Sequence, residues 1–296
     1  MIVAALVVAP VVALAAVCWS AAAGAENVPA HGLWVWKAPS VANAPPGAET
    51  LRDFCQSEGI DEVYVSVSDR GDMSGVDRLS HLIELLHRSD MRVEALLSSD
   101  NADEAGKHRD KLLDHVRDIV HYNQSHPRTR FDGIHLDIEP QQRPENKGPG
   151  NLRFLPGLVQ AYRAVRGVAE PAGLTVNADI QNKLLKGSVT ERRMLLSSMP
   201  RFTLMLYELS SPNDGDSIEA KAEKLQAASR QFLDMAYDGL NDPNLATLMI
   251  GLRTPDYGQL LPKMLTTLDE SNRTDPHYQG WAWHAYGDSQ GGNGSQ

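Results

Sequence analysis

The sequence predicts a (β/α)8 barrel, and three observations lead there. From residue 33 onward, eight short β-rich runs recur. Longer stretches with apolar residues at helical spacing separate them. The whole alternating pattern fits in about 260 residues, the span of one such barrel. An open doubly wound sheet is the main rival. No glycine-rich phosphate loop follows the first run, which weakens the dinucleotide-binding form of that rival.

The segment before the first run differs from the rest. Residues 1–25 contain no charged side chain, are rich in Ala, Val and Leu, and end in Ala23-Gly24-Ala25. Small residues at that spacing suit signal peptidase, so 1–25 reads as a cleavable signal peptide. It predicts a secreted or periplasmic protein. A retained membrane anchor is the alternative, and only then is a membrane a partner. Cys18 lies in this segment, so the mature chain keeps Cys55 alone and no internal disulfide is expected.

The runs follow in order. LWVWK (33–37) opens the barrel and carries Trp36. In EVYVSVS (62–68), Val63, Val65 and Val67 read as outward and Tyr64, Ser66 and Ser68 as inward. A helical stretch (76–89), RVEALLSS (92–99) and a second helix (107–123) come next. His108, His115, His121 and His126 lie on or just beyond that helix among Asp, Arg and Lys, as a solvated face requires. FDGIHLDIE (131–139) is the fourth run, and LTVNADI (174–180) aligns Asn177 with Asp179. FTLMLYE (202–208) aligns Met205 with Tyr207 and ends in Glu208. After a long helix (217–240), TLMIGLRT (247–254) aligns Gly251 with Arg253. GWAWHAY (280–286) aligns Trp281 with Trp283, read here as facing inward.

Ten residues follow Tyr286, too few for a full eighth outer helix. The apolar surface beside the last strand is then expected to be covered by a loop or another subunit. The domain reading is a signal peptide (1–25), a barrel (26–288) and a flexible Gly/Ser-rich tail (289–296). Asn123 and Asn272 begin glycosylation sequons. The net charge of −10 disfavours nucleic acid as a partner and is neutral towards an uncharged sugar.

The fourth run carries the chemistry. Ile134, Leu136 and Ile138 are apolar and should meet the helices, leaving Gly133, His135, Asp137 and Glu139 facing inward. Functional groups of such barrels sit at the C-terminal mouth. Glu139 should therefore be at the mouth, with Asp137 a layer deeper and His135 below it. Mutual repulsion and lost solvent favour the protonated form of one carboxyl of the pair. A protonated carboxyl at the mouth is the general acid that glycosidic cleavage needs.

This run resembles the fourth-strand motif of family 18 glycoside hydrolases, the chitinase family, whose pattern is Asp-x-x-Asp-x-Asp-x-Glu. Asp132, Asp137 and Glu139 match it, and His135 replaces the second Asp. Met205-Leu206-Tyr207-Glu208 resembles the family's Met-x-Tyr-Asp, and Trp283 falls where the family has an eighth-strand Trp under the sugar. The family's third-strand Ser-x-Gly-Gly is absent; Ser98-Ser99-Asp100 stands there. The resemblance implies a divergent barrel glycosidase with an oligo- or polysaccharide substrate and no cofactor. Glu139 would be the acid/base, while Asp137 and Tyr207 would orient a 2-acetamido group that acts as nucleophile. Trp36, Trp283, Glu208, Asp179, Arg253 and His135 complete the expected substrate-binding set. The seventh run offers Arg253 and no carboxylate, so the common seventh-strand nucleophile is missing; Glu208 or Asp179 would be the second carboxylate if one acts. Two other readings stay open: a non-catalytic sugar-binding barrel, and a metal-dependent hydrolase or lyase using His135, Asp137 and Glu139.

Overall fold

The computed structural model describes residues 29–43, 47–67, 73, 75–99, 101–148, 150–207, 215–253 and 258–286. The leader, Ser68, Asp100, Glu208 and the tail lie outside the described residues. Eight strands form: β1 (Ala30–Val35), β2 (Glu62–Ser66), β3 (Arg92–Ser98), β4 (Gly133–Asp137), β5 (Thr175–Gln181), β6 (Arg201–Met205), β7 (Thr247–Arg253) and β8 (Tyr278–His284). All neighbours pair parallel in chain order, and β8 pairs with β1 to close the barrel.

Helices fill the connections. α1 (Ala38–Asn43) and α2 (Gly47–Glu58) follow β1, and α3 (Ser80–His87) follows β2. α4 (Lys107–Ser125), α5 (Leu155–Ala169), α6 (Val189–Leu196), α7 (Ile218–Tyr237) and α8 (Leu261–Asn272) follow β3 to β7 in turn. The polar starts of helices are sequence-coded. Ser188 and Glu191 make a reciprocal capping box on α6, and the Ser217 hydroxyl accepts from Ala220 N on α7. Among the described residues no helix is long and apolar enough to cross a membrane.

The alternation of each strand divides the core in two. Val63, Val65, Ile134, Leu136, Val176 and Ile250 face outward into the layer shared with the helices. Trp34, Tyr64, Leu96, Met249 and Ala282 fill the interior. β4 follows the expected parity, with His135 at the centre and fully buried.

β8 does not. Tyr278 pairs with Leu248 and Gly280 with Met249, so Gln279 is an inserted residue that bulges the strand. Beyond the bulge, Ala282 faces the interior. Trp281 and Trp283 share a face as expected, but it is the outer one. The indole of Trp281 stacks on His31 at 4.2 Å and donates to Asp269 of α8. Trp283 packs edge-on against Phe54 of α2 at 5.2 Å. The reason is volume. Trp34, Tyr64 and Met249 already occupy the interior, and β8 adds only the methyl groups of Ala282 and the following Ala285 to them. The two indoles instead occupy the outer face of β8, where each is only 4% exposed. The surface expected to need a loop or a second subunit is thus covered by the chain's own α2 and α8.

The sequons are likewise committed to structure. The Asn123 side chain both donates to and accepts from the backbone of Phe131, each at 2.8 Å. Asn272 is 2% exposed and donates to Ser229 and to the Leu268 carbonyl.

Candidate active site at the barrel mouth

Glu139 follows β4 at the C-terminal mouth and is half-buried. Its Oε2 accepts from Gln181 Nε2 at 2.6 Å, Gln141 Nε2 at 2.9 Å and Gln142 Nε2 at 3.3 Å. A carboxylate only accepts, so all three amides present their N–H groups to it. Asp137 ends β4 one alternation deeper and is also half-buried.

Tyr207 follows β6. Its phenol is pushed well above its ordinary range, first by burial, then by the charges of Asp179, Asp137 and Glu139, with Arg253 opposing. The three carboxylates therefore converge on Tyr207, which keeps its proton and remains a donor. Its hydroxyl is buried with no hydrogen-bond partner among the described residues. The Arg253 guanidinium, at the end of β7, lies 5.3 Å from the Tyr207 ring centroid. The His284 ring, at the end of β8, lies 5.3 Å from it. Trp36 donates its indole N–H to His284 Nε2 at 2.9 Å, which fixes the proton of a neutral His284 on Nδ1. Trp36, Asp137, Glu139, Tyr207 and Arg253 are thus gathered at one end of the barrel, as the sequence predicts.

Three predicted contacts are placed elsewhere. Trp283 lies outside the barrel against α2. His135 and Asp179 lie in the interior beneath the mouth, at 0% and 2% exposure. Both nitrogens of His135 are engaged, Nε2 with Asp179 at 2.8 Å and Nδ1 with Glu94 at 3.3 Å. Its ring stacks on Tyr64 at 3.8 Å. The other oxygen of Asp179 accepts from the Trp34 indole at 3.0 Å. These groups support the site from below and do not reach a substrate. Burial alone would lower the His135 pKa, but the charges and hydrogen bonds of Asp179 and Glu94 outweigh it and push it up to about 9. The ring is an imidazolium at neutral pH and donates to both carboxylates. Glu94 is held below the usual carboxylate range: burial opposes this, and His135, Arg201 and Asn177 prevail.

A second ionic layer lies below. Arg201 forks onto Glu62 at 2.6 and 3.1 Å, and Asn177 donates to Glu94 at 2.8 Å. Asp132, the first position of the chitinase-like motif, is at the far end of β4, where it accepts from Val93 N and pairs with His87. It is a structural residue here. Among the described residues no group of three His, Cys, Asp or Glu side chains is arranged to hold a metal ion.

Gln181, Gln141, His284 and Trp34 were not singled out by sequence. Gln181 had a signal: it continues the Asn177, Asp179 alternation. His284 shares its face with Ala282 and was masked by the two indoles. Gln141 lies in a short helical turn after Pro140, where no periodicity points to it.

The fold has close counterparts among solved structures. A GH5_18 protein from Streptomyces cattleya, solved in complex with Manb1-4GlcNAc, aligns with a TM-score of 0.61 at 10% identity, over 87% of this chain and 71% of that one. A chitinase from Bacteroides thetaiotaomicron aligns with 0.55 at 12% identity, over 89% and 93%. The spore cortex-lytic enzyme SleL from Bacillus megaterium aligns with 0.57 at 10% identity, over 89% and 72%. What these structures share with this chain is the (β/α)8 barrel fold. No family model matches the chain, and no curated protein matches it by sequence.

Proposed function

We propose that this protein is a glycoside hydrolase, exported by its N-terminal segment, with Glu139 as general acid and base. One observation carries the reading. A glutamate sits at the mouth of the barrel, one oxygen held by three amide N–H groups, beside Asp137 and a proton-bearing Tyr207. The likeness of fold to chitinases and a GH5_18 protein supports the same reaction class.

In this reading Glu139 delivers its proton to the leaving glycosidic oxygen and then, as carboxylate, takes a proton from the incoming water. Asp137 and the Tyr207 hydroxyl bind the 2-acetamido group of the sugar, whose carbonyl oxygen closes on the anomeric carbon. The buried Tyr207 donor supports this part of the reading. Trp36 offers an aromatic face to the sugar ring, and Arg253 keeps Tyr207 in place.

The test is product release from chito-oligosaccharides and a panel of other glycans. The wild-type protein is expected to cleave an N-acetylated glycan. Glu139→Gln is expected to lose about 10²–10⁴-fold in kcat. Equal glycan binding by both proteins, with no cleavage by either, would replace the hydrolase by a sugar-binding barrel. Activity lost on chelation would point to a metal-dependent reaction.

A further inference from the structure

Oε2 of Glu139 is held by side-chain amides from two elements. Oε2 receives Gln181 from β5 at 2.6 Å and Gln141 from the turn after β4 at 2.9 Å. Gln141 is itself 6% exposed, so its amide is confined. Gln181 ends a strand, which fixes its origin more firmly than a loop would. A proton placed on Oε2 would face amide N–H groups and force at least one of them to turn away.

We infer that Gln181, with Gln141, is a positioning residue for Glu139: the two amides hold Oε2 in place and stabilise the carboxylate left behind when the proton departs. The inference rests on the hydrolase reading for its catalytic meaning, but the geometry it describes belongs to Glu139 alone. During cleavage the O–H bond of the Glu139 carboxyl breaks as the glycosidic oxygen takes the proton. The negative charge left on the carboxylate falls partly on Oε2, where the N–H groups already point. The amides need no reorientation at that moment.

Asp137 on β4, Asp179 on β5 and Arg253 on β7 act together with Glu139 on the neutral Tyr207 phenol after β6, and the His284 ring lies 5.3 Å from that phenol ring. Substituting Gln181 by an uncharged residue leaves all of them in place, so the change isolates the amide.

The experiment is a carboxyl ¹³C titration of the full chain labelled at glutamate. The Glu139 signal is the one that disappears in Glu139→Gln. In Gln181→Leu the midpoint of this signal is expected to move to higher pH than in the parent protein, because a donor to the carboxylate is lost. Gln141→Met provides the same comparison from the other donor and serves if Gln181→Leu does not fold. A midpoint that is unchanged or lower in a folded variant would overturn the inference. Glycan cleavage is read on the same proteins. With a cleaved substrate, kcat falls in Gln181→Leu, KM stays, and the alkaline limb of the rate profile moves up with the titration. A parent protein that cleaves nothing sinks the hydrolase reading and leaves the titration to judge the amides.

Discussion

A histidine with a carboxylate on each nitrogen is an unusual thing to bury, and His135 is fully buried. Its charge is what makes the surrounding acids tolerable. Removing it would leave Asp179 buried without the imidazolium that pairs with it, and would leave Glu94 to the longer contacts of Arg92 and Arg201 at 3.7 and 3.8 Å. His135→Gln should therefore cost about 3–5 kcal/mol, read as a lower urea midpoint. The pH dependence has a definite sign. A free histidine titrates near 6.5 and this one near 9, so its contribution is complete below pH 6.5 and is lost as pH rises through 9. Glu94 works the other way: its pKa is lowered from 4.5, so its contribution is present above that value and lost in acid. Stability should be greatest between roughly pH 4.5 and 6.5. Urea midpoints at pH 6 and pH 9.5 would check the alkaline side. The fall between them should be smaller in His135→Gln, and an equal fall in both proteins would show that another group titrates. His31 adds to the same alkaline fall. Burial lowers its pKa, but hydrogen bonds and charge from Asp269, with the Gly59 carbonyl, raise it overall. A second residue-scale expectation concerns Tyr207. Tyr207→Phe removes a buried hydroxyl at the mouth that lacks a hydrogen-bond partner among the described residues, at little cost in packing. If that hydroxyl orients the acetamido group, kcat on N-acetylated glycans should fall about 10-fold or more while stability hardly changes. Unaltered rates would separate Tyr207 from the reaction.

At the scale of elements, the strands were legible and their faces mostly so. Seven of the eight β-rich runs contain most of an observed strand and the first contains half of β1, because apolar residues alternating along a strand have to meet the helices on one side. On β4 this alternation placed Glu139 at the mouth and His135 below it. The partners of His135 were not legible. Glu94 and Asp179 reach it only because β3, β4 and β5 pair with Leu96 and Asn177 flanking His135, and register is a property of the folded sheet. β8 shows the opposite failure. Alternation gave the shared face of Trp281 and Trp283, but whether that face is inner or outer depends on what the other seven strands have already put inside. The difference is measurable. Trp283→Ala should cost about 3–5 kcal/mol, since it empties the contact between β8 and α2, and should leave kcat/KM on any cleaved glycan unchanged. Trp36→Ala, at the mouth, should do the reverse: a small loss of stability and a large loss of activity. A Trp283→Ala protein that is stable but inactive would return that indole to the sugar site.

For the whole molecule, the decisive contact is the one that closes the barrel. β1 and β8 are the most distant strands in the sequence, and Ala30 pairs with Gly280 where they meet. The chain is tightest there. Gly280 follows the bulge at Gln279 and has φ +122, a conformation that side chains avoid. A Cβ on it would lie 1.9 Å from the Ala30 carbonyl oxygen, which is backbone and has nowhere to go. Substitution here should therefore act on closure itself and through it on the mouth, because the same strand carries His284 to its partner Trp36. Gly280→Ala should lose roughly 4 kcal/mol or more, placing it among the most damaging single changes in the chain. Gly167 supplies the contrast. It lies exposed in α5, and a methyl group added there would meet nothing within 4 Å, so Gly167→Ala should gain about 0.5–1 kcal/mol from helix propensity. Urea unfolding followed by near-ultraviolet circular dichroism would read both, since Trp281 and Trp283 flank the closure. If Gly280→Ala unfolded at the same urea concentration as the parent, β8 would have to reach β1 by a different register, and the inner position of His284 would fall with it.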